Sequence, residues 1–197
     1  MDRILNLYDG LYRKHGPQHW WPGETQYEVI IGAILAQNTA WSNAEKAIAN
    51  LKSAKALDPS MILGLKDAKL KELIRPSGFY NQKAERLKSI TSWYLYNRNK
   101  AESMDRMALR QDLLGIKGIG RETADSIALY GFKKPIFVID SYTRRFCKFH
   151  GLLEDGEYDD YRLLFEDAIG LKTRIFNEYH ALIVAWGKGN PSATTTN

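Results

Sequence analysis

The sequence predicts an all-α protein, and three observations carry that expectation. Apolar residues recur at three- and four-residue spacing along nearly the whole chain. Most of these stretches open at a capping residue or close at Gly or Pro. The only β-like run, Pro135-Ile136-Phe137-Val138-Ile139, is too short and too solitary to build a sheet.

Taken in order, Ile4, Leu5, Tyr8, Leu11 and Tyr12 share one face of an amphipathic helix that Gly16-Pro17 stops. Thr25-Gln26-Tyr27-Glu28 has the form of a capping box and opens a helix through Val29, Ile30, Ile31, Ala33, Ile34 and Leu35. Apolar on nearly all sides, that helix is expected at the centre of the core. Ser42-Asn43-Ala44-Glu45 has the same box form before Ala47, Ile48 and Leu51. Asp58-Pro59 sets a capping carboxylate before a proline at the first helical position. Leu70, Leu73 and Ile74 continue the pattern until Arg75-Pro76-Ser77-Gly78 breaks it, and Ala84, Leu87, Ile90 and Tyr94 mark the next helix. Further helices are predicted near 105–114, 121–130, 141–149, 158–169 and 173–186, and the tail from Asn190 is expected to fray. There is no internal repeat or low-complexity linker, so any lobes must be compact and closely joined.

A length of 197 residues suits one full domain or two small ones sharing a cleft, and 44% hydrophobic with 26% charged residues excludes disorder and fibres. No run approaches the roughly 18 apolar residues of a membrane span. The start, Met1-Asp2-Arg3-Ile4, begins an amphipathic pattern rather than a signal peptide; a cytoplasmic protein is expected, nucleoid-associated in a prokaryote and without a membrane partner. Cys147 is the only cysteine, which excludes an internal disulfide, a Cys-based zinc site and an all-cysteine iron–sulfur cluster within these residues. The net charge of +5 is compatible with a nucleic-acid partner without requiring one. It is unevenly spread: 154–160 is acidic, whereas 133–148 carries Lys133, Lys134, Arg144, Arg145 and Lys148. A basic face suits a DNA-binding protein; a solvated surface is the plainer alternative.

The chemistry concentrates in Leu113-Leu114-Gly115-Ile116-Lys117-Gly118-Ile119-Gly120-Arg121-Glu122-Thr123-Ala124-Asp125. A helix is predicted to end near Leu114, a tight hairpin to hold Gly118-Ile119-Gly120, and a second helix to begin at once. Glycines let the backbone turn sharply and approach a ligand, and Ile119 between them can anchor the hairpin in the core. The second helix offers backbone N–H groups and a positive dipole end, with Lys117 and Arg121 at its sides. That is the logic of a phosphate clamp indifferent to base sequence. An ordinary turn between two helices is the alternative, and the full string favours the clamp.

The stretch Gly115-Ile116-Lys117-Gly118-Ile119-Gly120-Arg121-Glu122-Thr123-Ala124, followed by Val138-Ile139-Asp140-Ser141-Tyr142-Thr143-Arg144-Arg145, resembles the helix-hairpin-helix DNA glycosylases of the endonuclease III superfamily. The resemblance extends upstream to Tyr27 through Thr39 and downstream to His180-Ala181-Leu182-Ile183-Val184, covering roughly residues 20–188. It implies an all-α, two-lobed protein with a DNA-binding cleft between the lobes. One lobe would be a bundle over 25–130 containing the helix-hairpin-helix (115–124), the other 1–24 plus 131–197. The partner implied is double-stranded DNA with a damaged base flipped out of the stack, bound by a monomer.

The resemblance also assigns roles. Asp140 falls at the position of the family's essential aspartate, where an ionised carboxylate can stabilise the cationic sugar and orient the attacking water. As a residue before Ser-Tyr-Thr it also reads as a plain N-cap. Bifunctional members carry a nucleophilic lysine where this sequence has Glu122, and a carboxylate forms no Schiff base. Glu122 is then a second pocket carboxylate, a helix N-terminal charge, or both. Most relatives continue into a four-cysteine cluster loop after the last helix; here Gly187-Lys188-Gly189-Asn190-Pro191 holds no cysteine, so no iron–sulfur cluster is expected. Cys147 reads as a buried helix residue. A monovalent cation at the hairpin is the one ligand expected besides DNA.

His19-Trp20-Trp21-Pro22 and Trp41 lie where the family builds its base pocket, an arrangement similar to the cluster-free 3-methyladenine DNA glycosylases. Electron-rich indoles attract a cationic alkylated purine beyond ordinary stacking. Trp20, Trp21 and Trp41 are the pocket candidates; with Trp93 and Trp186 also present, about half of the five tryptophans are expected to be structural, without the sequence saying which. Gln37 matches the position that fills the space left by the flipped nucleotide, although an amide there also suits a helix cap. Tyr142, Arg144 and Arg145 are expected on phosphates, with Phe146 and Phe149 packed inward and Lys188 near the cleft. The expectation is a monofunctional glycosylase for alkylated purines, with no metal-ligating side chains and no cofactor beyond that cation. The alternatives are an endonuclease III-like enzyme for oxidised or deaminated pyrimidines and a non-catalytic helix-hairpin-helix module.

Overall fold

The computed structural model describes residues 2–20 and 23–190. Trp21, Pro22 and the tail from 191 onward lie outside the described residues, so the expectations placed on them stay as stated. Among the described residues helices follow one another without a strand. They are α1 (Asp2–His15), α2 (Gln26–Leu35), α3 (Trp41–Ser53), α4 (Pro59–Gly64), α5 (Asp67–Ile74), α6 (Tyr80–Ser103), α7 (Arg106–Leu114), α8 (Arg121–Ser126), α9 (Ser141–Phe149), α10 (Tyr158–Ile169) and α11 (Thr173–Gly189). No helix is long and apolar enough to cross a membrane. The chain divides into two compact units, Met1–Trp20 with Lys133–Asn197, and Trp21–Phe132. The sequence reading sets these boundaries at 24/25 and 130/131.

In the unit Trp21–Phe132, α2 is the central rod, with Ile30, Ile31, Ile34 and Leu35 wholly buried. It packs against α3, α6, α8 and the turn after α8. Thr25 caps α2 by accepting from the Glu28 N–H, but Glu28 does not complete the box. Its carboxylate instead accepts from the Glu24 N–H at 3.2 Å and pairs with Lys52 at 2.8 Å. The second box fails outright: α3 already starts at Trp41, so Ala40 takes the cap position and Ser42 lies inside the helix, while Glu45 accepts the Trp41 indole N–H at 2.7 Å. Asp58 caps α4 as expected, accepting from Ser60 and Met61. The helix expected over 121–130 is α-helical only to Ser126. Ile127–Gly131 forms a wider π-helical turn, which sets Gly131 beside Ile30 and leaves its carbonyl to the Gln26 amide at 3.1 Å.

In the other unit, α1 packs against α10 and α11, and α9 against α11. The apolar stripe of α1 is tied down by the buried Tyr179 hydroxyl, which donates to the Ile4 carbonyl at 2.9 Å. Gly187 lets α9 and α11 approach closely, since a Cβ there would overlap the Tyr142 ring. Residues 135–139 run without regular structure through the core, with Ile136–Ile139 at most 1% exposed. Side chains satisfy two of its amides: the Phe137 N–H donates to Glu166 at 3.1 Å and the Ile139 N–H to the Tyr158 hydroxyl at 3.2 Å. Arg162 holds that glutamate from one helical turn away at 2.7 Å. Phe146 packs inward as expected, but Phe149 is 61% exposed. It ends α9, with the His150 ring edge-on at 5.0 Å and the Trp186 ring tilted against it at 5.3 Å.

Candidate functional site

The extended segment ends at Asp140, the N-cap of α9. One carboxylate oxygen accepts from the Thr143 N–H at 2.7 Å and the Thr143 hydroxyl at 3.0 Å. The other faces His180 Nε2, from α11, at 3.4 Å. Burial by itself raises the carboxyl pKa. The His180 charge and hydrogen bond and the two bonds from Thr143 outweigh it and hold the group below its ordinary range. The Asp140 side chain keeps 16% of its surface exposed. His180 is buried, with the Trp20 ring stacked on it at 5.5 Å and 19° and Phe137 edge-on at 6.4 Å. An ionised carboxylate, an imidazole and an indole face thus form one cluster within this unit.

The hairpin belongs to the other unit. Of its three glycines only Gly118 needs to be glycine for its backbone, with φ +87°. Gly115 ends α7 in ordinary helical geometry, and Gly120 starts α8 in extended geometry with nothing within 4 Å of where a Cβ would sit. Ile119 is buried and anchors the loop as expected. Lys117, Gly118, Gly120, Arg121 and Glu122 are all exposed, with Glu122 in the first turn of α8. Gln37 reaches this hairpin from the end of α2. Its amide N–H₂ donates to the Gly118 carbonyl at 3.1 Å and the Thr123 hydroxyl at 2.9 Å, while its oxygen accepts from Arg86 at 2.6 Å.

The remaining sequence candidates separate into two groups. Trp41 lies in the hairpin's unit, partly exposed, its indole N–H held by Glu45. Arg144 turns onto its own unit: it donates to the Gly156 carbonyl at 3.2 Å and lies 4.6 Å over the Tyr161 ring. Arg145 lies 4.7 Å over Tyr142. Trp186 is buried, and the Trp93 indole donates to Asp112 at 2.8 Å. Cys147 is buried, and burial pushes its thiol up to about 12, which makes it unreactive. Among the described residues no three His, Cys, Asp or Glu gather where they could hold a metal ion.

Sequence reasoning singled out none of His180, Arg86 or Lys83 for its own chemistry. His180 appeared only as part of a matching stretch. Lys83 is fully buried and donates to the Leu35 carbonyl at 2.8 Å and the Ser77 carbonyl at 2.7 Å. It joins the end of α2 to the turn before α6. At that turn Phe79 adopts a left-handed backbone (φ +45°) with its ring 60% exposed.

The profile of the HhH-GPD superfamily of base excision DNA repair proteins matches residues 31–169. A Methanocaldococcus jannaschii protein with the provisional name DNA repair glycosylase is 47% identical over 189 residues, 93% of this chain and 86% of its own length. The endonuclease III of Thermotoga maritima is 33% identical over 121 residues, 60% of this chain and 54% of that enzyme. The crystal structure of the H. pylori 3-methyladenine DNA glycosylase bound to 1,N6-ethenoadenine superposes with a TM-score of 0.83 at 30% identity, covering 95% of this chain and 98% of that one. A trapped endonuclease III–DNA covalent intermediate gives a TM-score of 0.80 at 18% identity over 95% of this chain and 86% of that one, which is a likeness of fold.

Proposed function

This chain belongs to the HhH-GPD superfamily of base excision DNA repair proteins, and from that premise we propose that it is a monofunctional DNA glycosylase that removes alkylated purines, 3-methyladenine foremost. The observation that carries the reading is the Asp140 carboxylate, held ionised at the start of α9 with the Trp20–His180 stack beside it.

In the proposed reaction the bond between the base and the sugar C1′ breaks, and its electron pair leaves with the purine. A purine alkylated on a ring nitrogen starts cationic and leaves neutral, so it needs little help from an acid. Positive charge develops on the sugar, and an ionised Asp140 stabilises it electrostatically. Water then adds to C1′ and gives up a proton, leaving an abasic sugar and the free base. Glu122 occupies the position where a lyase would need an amine, so hydrolysis is the whole reaction. Trp20 supplies an aromatic face that favours a cationic base. The H. pylori structural relative is named for 3-methyladenine, which supports the alkyl-purine assignment. Lys117, Gly118, Gly120 and Arg121 are proposed to grip the DNA backbone without regard to sequence. A monovalent cation at the hairpin belongs to the same proposal.

A second reading, removal of oxidised or deaminated pyrimidines, is favoured by the relatives named endonuclease III. One comparison separates the two. The protein is incubated with alkylated genomic DNA and with duplexes containing uracil, thymine glycol or 8-oxoguanine, and released bases are separated by chromatography. Faster release of 3-methyladenine than of any neutral lesion is expected; faster release of uracil or thymine glycol replaces the alkyl-purine reading with the second one, and faster release of 8-oxoguanine overturns both. Borohydride is expected to trap no protein–DNA adduct, and a trapped adduct would show that a lysine acts as nucleophile.

A further inference from the structure

We propose that Arg86 is a positioning residue for DNA binding, setting the hairpin's shape through Gln37 and through its own contact with Gly118; this rests on the DNA-binding part of the reading above. Three contacts carry the assignment. The Arg86 guanidinium donates to the Gln37 amide oxygen at 2.6 Å. That bond fixes which way the amide faces, so its N–H₂ must point toward the hairpin. There it bridges the Gly118 carbonyl, at the tip, and the Thr123 hydroxyl, in the first turn of α8. The arm of the same arginine lies against the bare face of Gly118, where a Cβ would come within 2.5 Å of Nε and 2.7 Å of Cγ.

Arg86 therefore touches the tip of the hairpin directly and, through Gln37, both its tip and its exit. Gly118 and Arg86 are complementary: the absent side chain of one makes room for the arm of the other. The base of the arginine is steady, because Lys83 lies one helical turn earlier on α6, buried and bonded to the end of α2 from which Gln37 emerges. The network lies at the partly exposed edge of the unit, where single hydrogen bonds add little to folding stability. Its effect falls on preorganisation instead. A hairpin held in its binding shape loses less freedom when DNA arrives.

The test measures affinity for an undamaged duplex across a range of salt for wild type, Arg86→Met, Gln37→Ala and the double variant, with Tm taken alongside. Arg86→Met is expected to bind about fivefold more weakly, with Tm nearly unchanged and the slope against salt preserved. The double variant is expected to bind no worse than the weaker single one, because both substitutions cut the same chain of contacts. Arg86→Gln serves as a second substitution and should behave like Arg86→Met. Additive losses, or wild-type affinity in both Arg86 variants, would overturn the proposal. So would a salt slope reduced by about one, the mark of a lost phosphate contact, since Arg86 would then be a ligand itself. Wild type that binds duplex yet releases no base retires the glycosylase reading and leaves the Arg86 comparison intact. Wild type that binds no duplex at all removes both.

Discussion

Around Asp140 the polar groups are few and enclosed: a carboxylate, a threonine and an imidazole set among the rings of Trp20 and Phe137. Around Gly118 they form a chain at the edge of the other unit, in which an arginine, a glutamine and a threonine bond to one another and to backbone. The first arrangement holds a charge, because in apolar surroundings each partner of the carboxylate counts for more than it would in water. The second holds a shape, because its hydrogen bonds fix the orientation of a turn and leave its outer face free of bulk. Substitutions in the first should change the rate of base release and those in the second the grip on DNA, and the two effects should be separable.

The largest effect is expected at Asp140. Asp140→Asn keeps the size and the capping ability of the side chain, so DNA affinity should stay near wild type while single-turnover base release falls about a hundredfold to a thousandfold. Retained release would remove the proposed mechanism, and lost affinity would break the separation of the two units' roles. The carboxyl is held below its ordinary range in the folded protein. Its contribution to stability is therefore present above the unfolded value and lost as pH falls through the folded one. Wild type should lose its Tm advantage over Asp140→Asn only in that acid range.

Gly118→Ala is the matching test on the hairpin side. The alanine would be strained at φ +87° and would press on Arg86, so affinity for damaged and undamaged duplex should fall together, by about tenfold. Equal binding over several salt concentrations would reduce the hairpin to a connecting turn. The same substitution at Gly120 meets open space in the free protein, so any loss of affinity there would report on the approach of DNA alone.

Trp20→Ala should act more mildly and on one substrate class. Removing the ring beside His180 is expected to slow release of 3-methyladenine by about tenfold while leaving affinity for undamaged duplex nearly unchanged. An equal loss on neutral lesions would show that the ring stacks without selecting charge.

The smallest effect concerns Lys83, whose amine burial pulls down from 10.5 to about 8. Between those values the unfolded chain binds the proton more tightly than the folded one, so stability rises with pH there. The Tm of wild type relative to Lys83→Met should increase from about pH 8 upward. A flat difference would mean that the amine stays charged throughout.

Local signals in the sequence went far. Gly118-Ile119-Gly120 gave the hairpin, Asp58 and Asp140 gave their helix caps, and the all-apolar run of α2 gave the centre of its unit. Contacts between residues distant in the chain stayed hidden. Asp140 and His180 are forty residues apart, and Gln37 and Gly118 eighty-one. No periodicity links such pairs, since each depends on how two helices pack. The same limit explains Lys83, whose burial follows from two carbonyls that only the folded chain brings together. The failed box at Ser42 has a local cause: the helix begins at Trp41, which puts Ser42 inside it, and the Trp41 indole takes Glu45.

The segment that delivers Asp140 has a bearing on solubility. Ile136-Phe137-Val138-Ile139 is short, apolar and rich in β-forming residues, the composition from which intermolecular sheets are nucleated. In the native protein two of its amides are occupied by Glu166 and the Tyr158 hydroxyl, so no neighbouring strand is needed and none can dock. If α10 loosens, those amides and four apolar side chains are released together. A variant weakened at Tyr158 or Glu166 should therefore first reveal itself as aggregate in the culture, before any assay of repair is attempted.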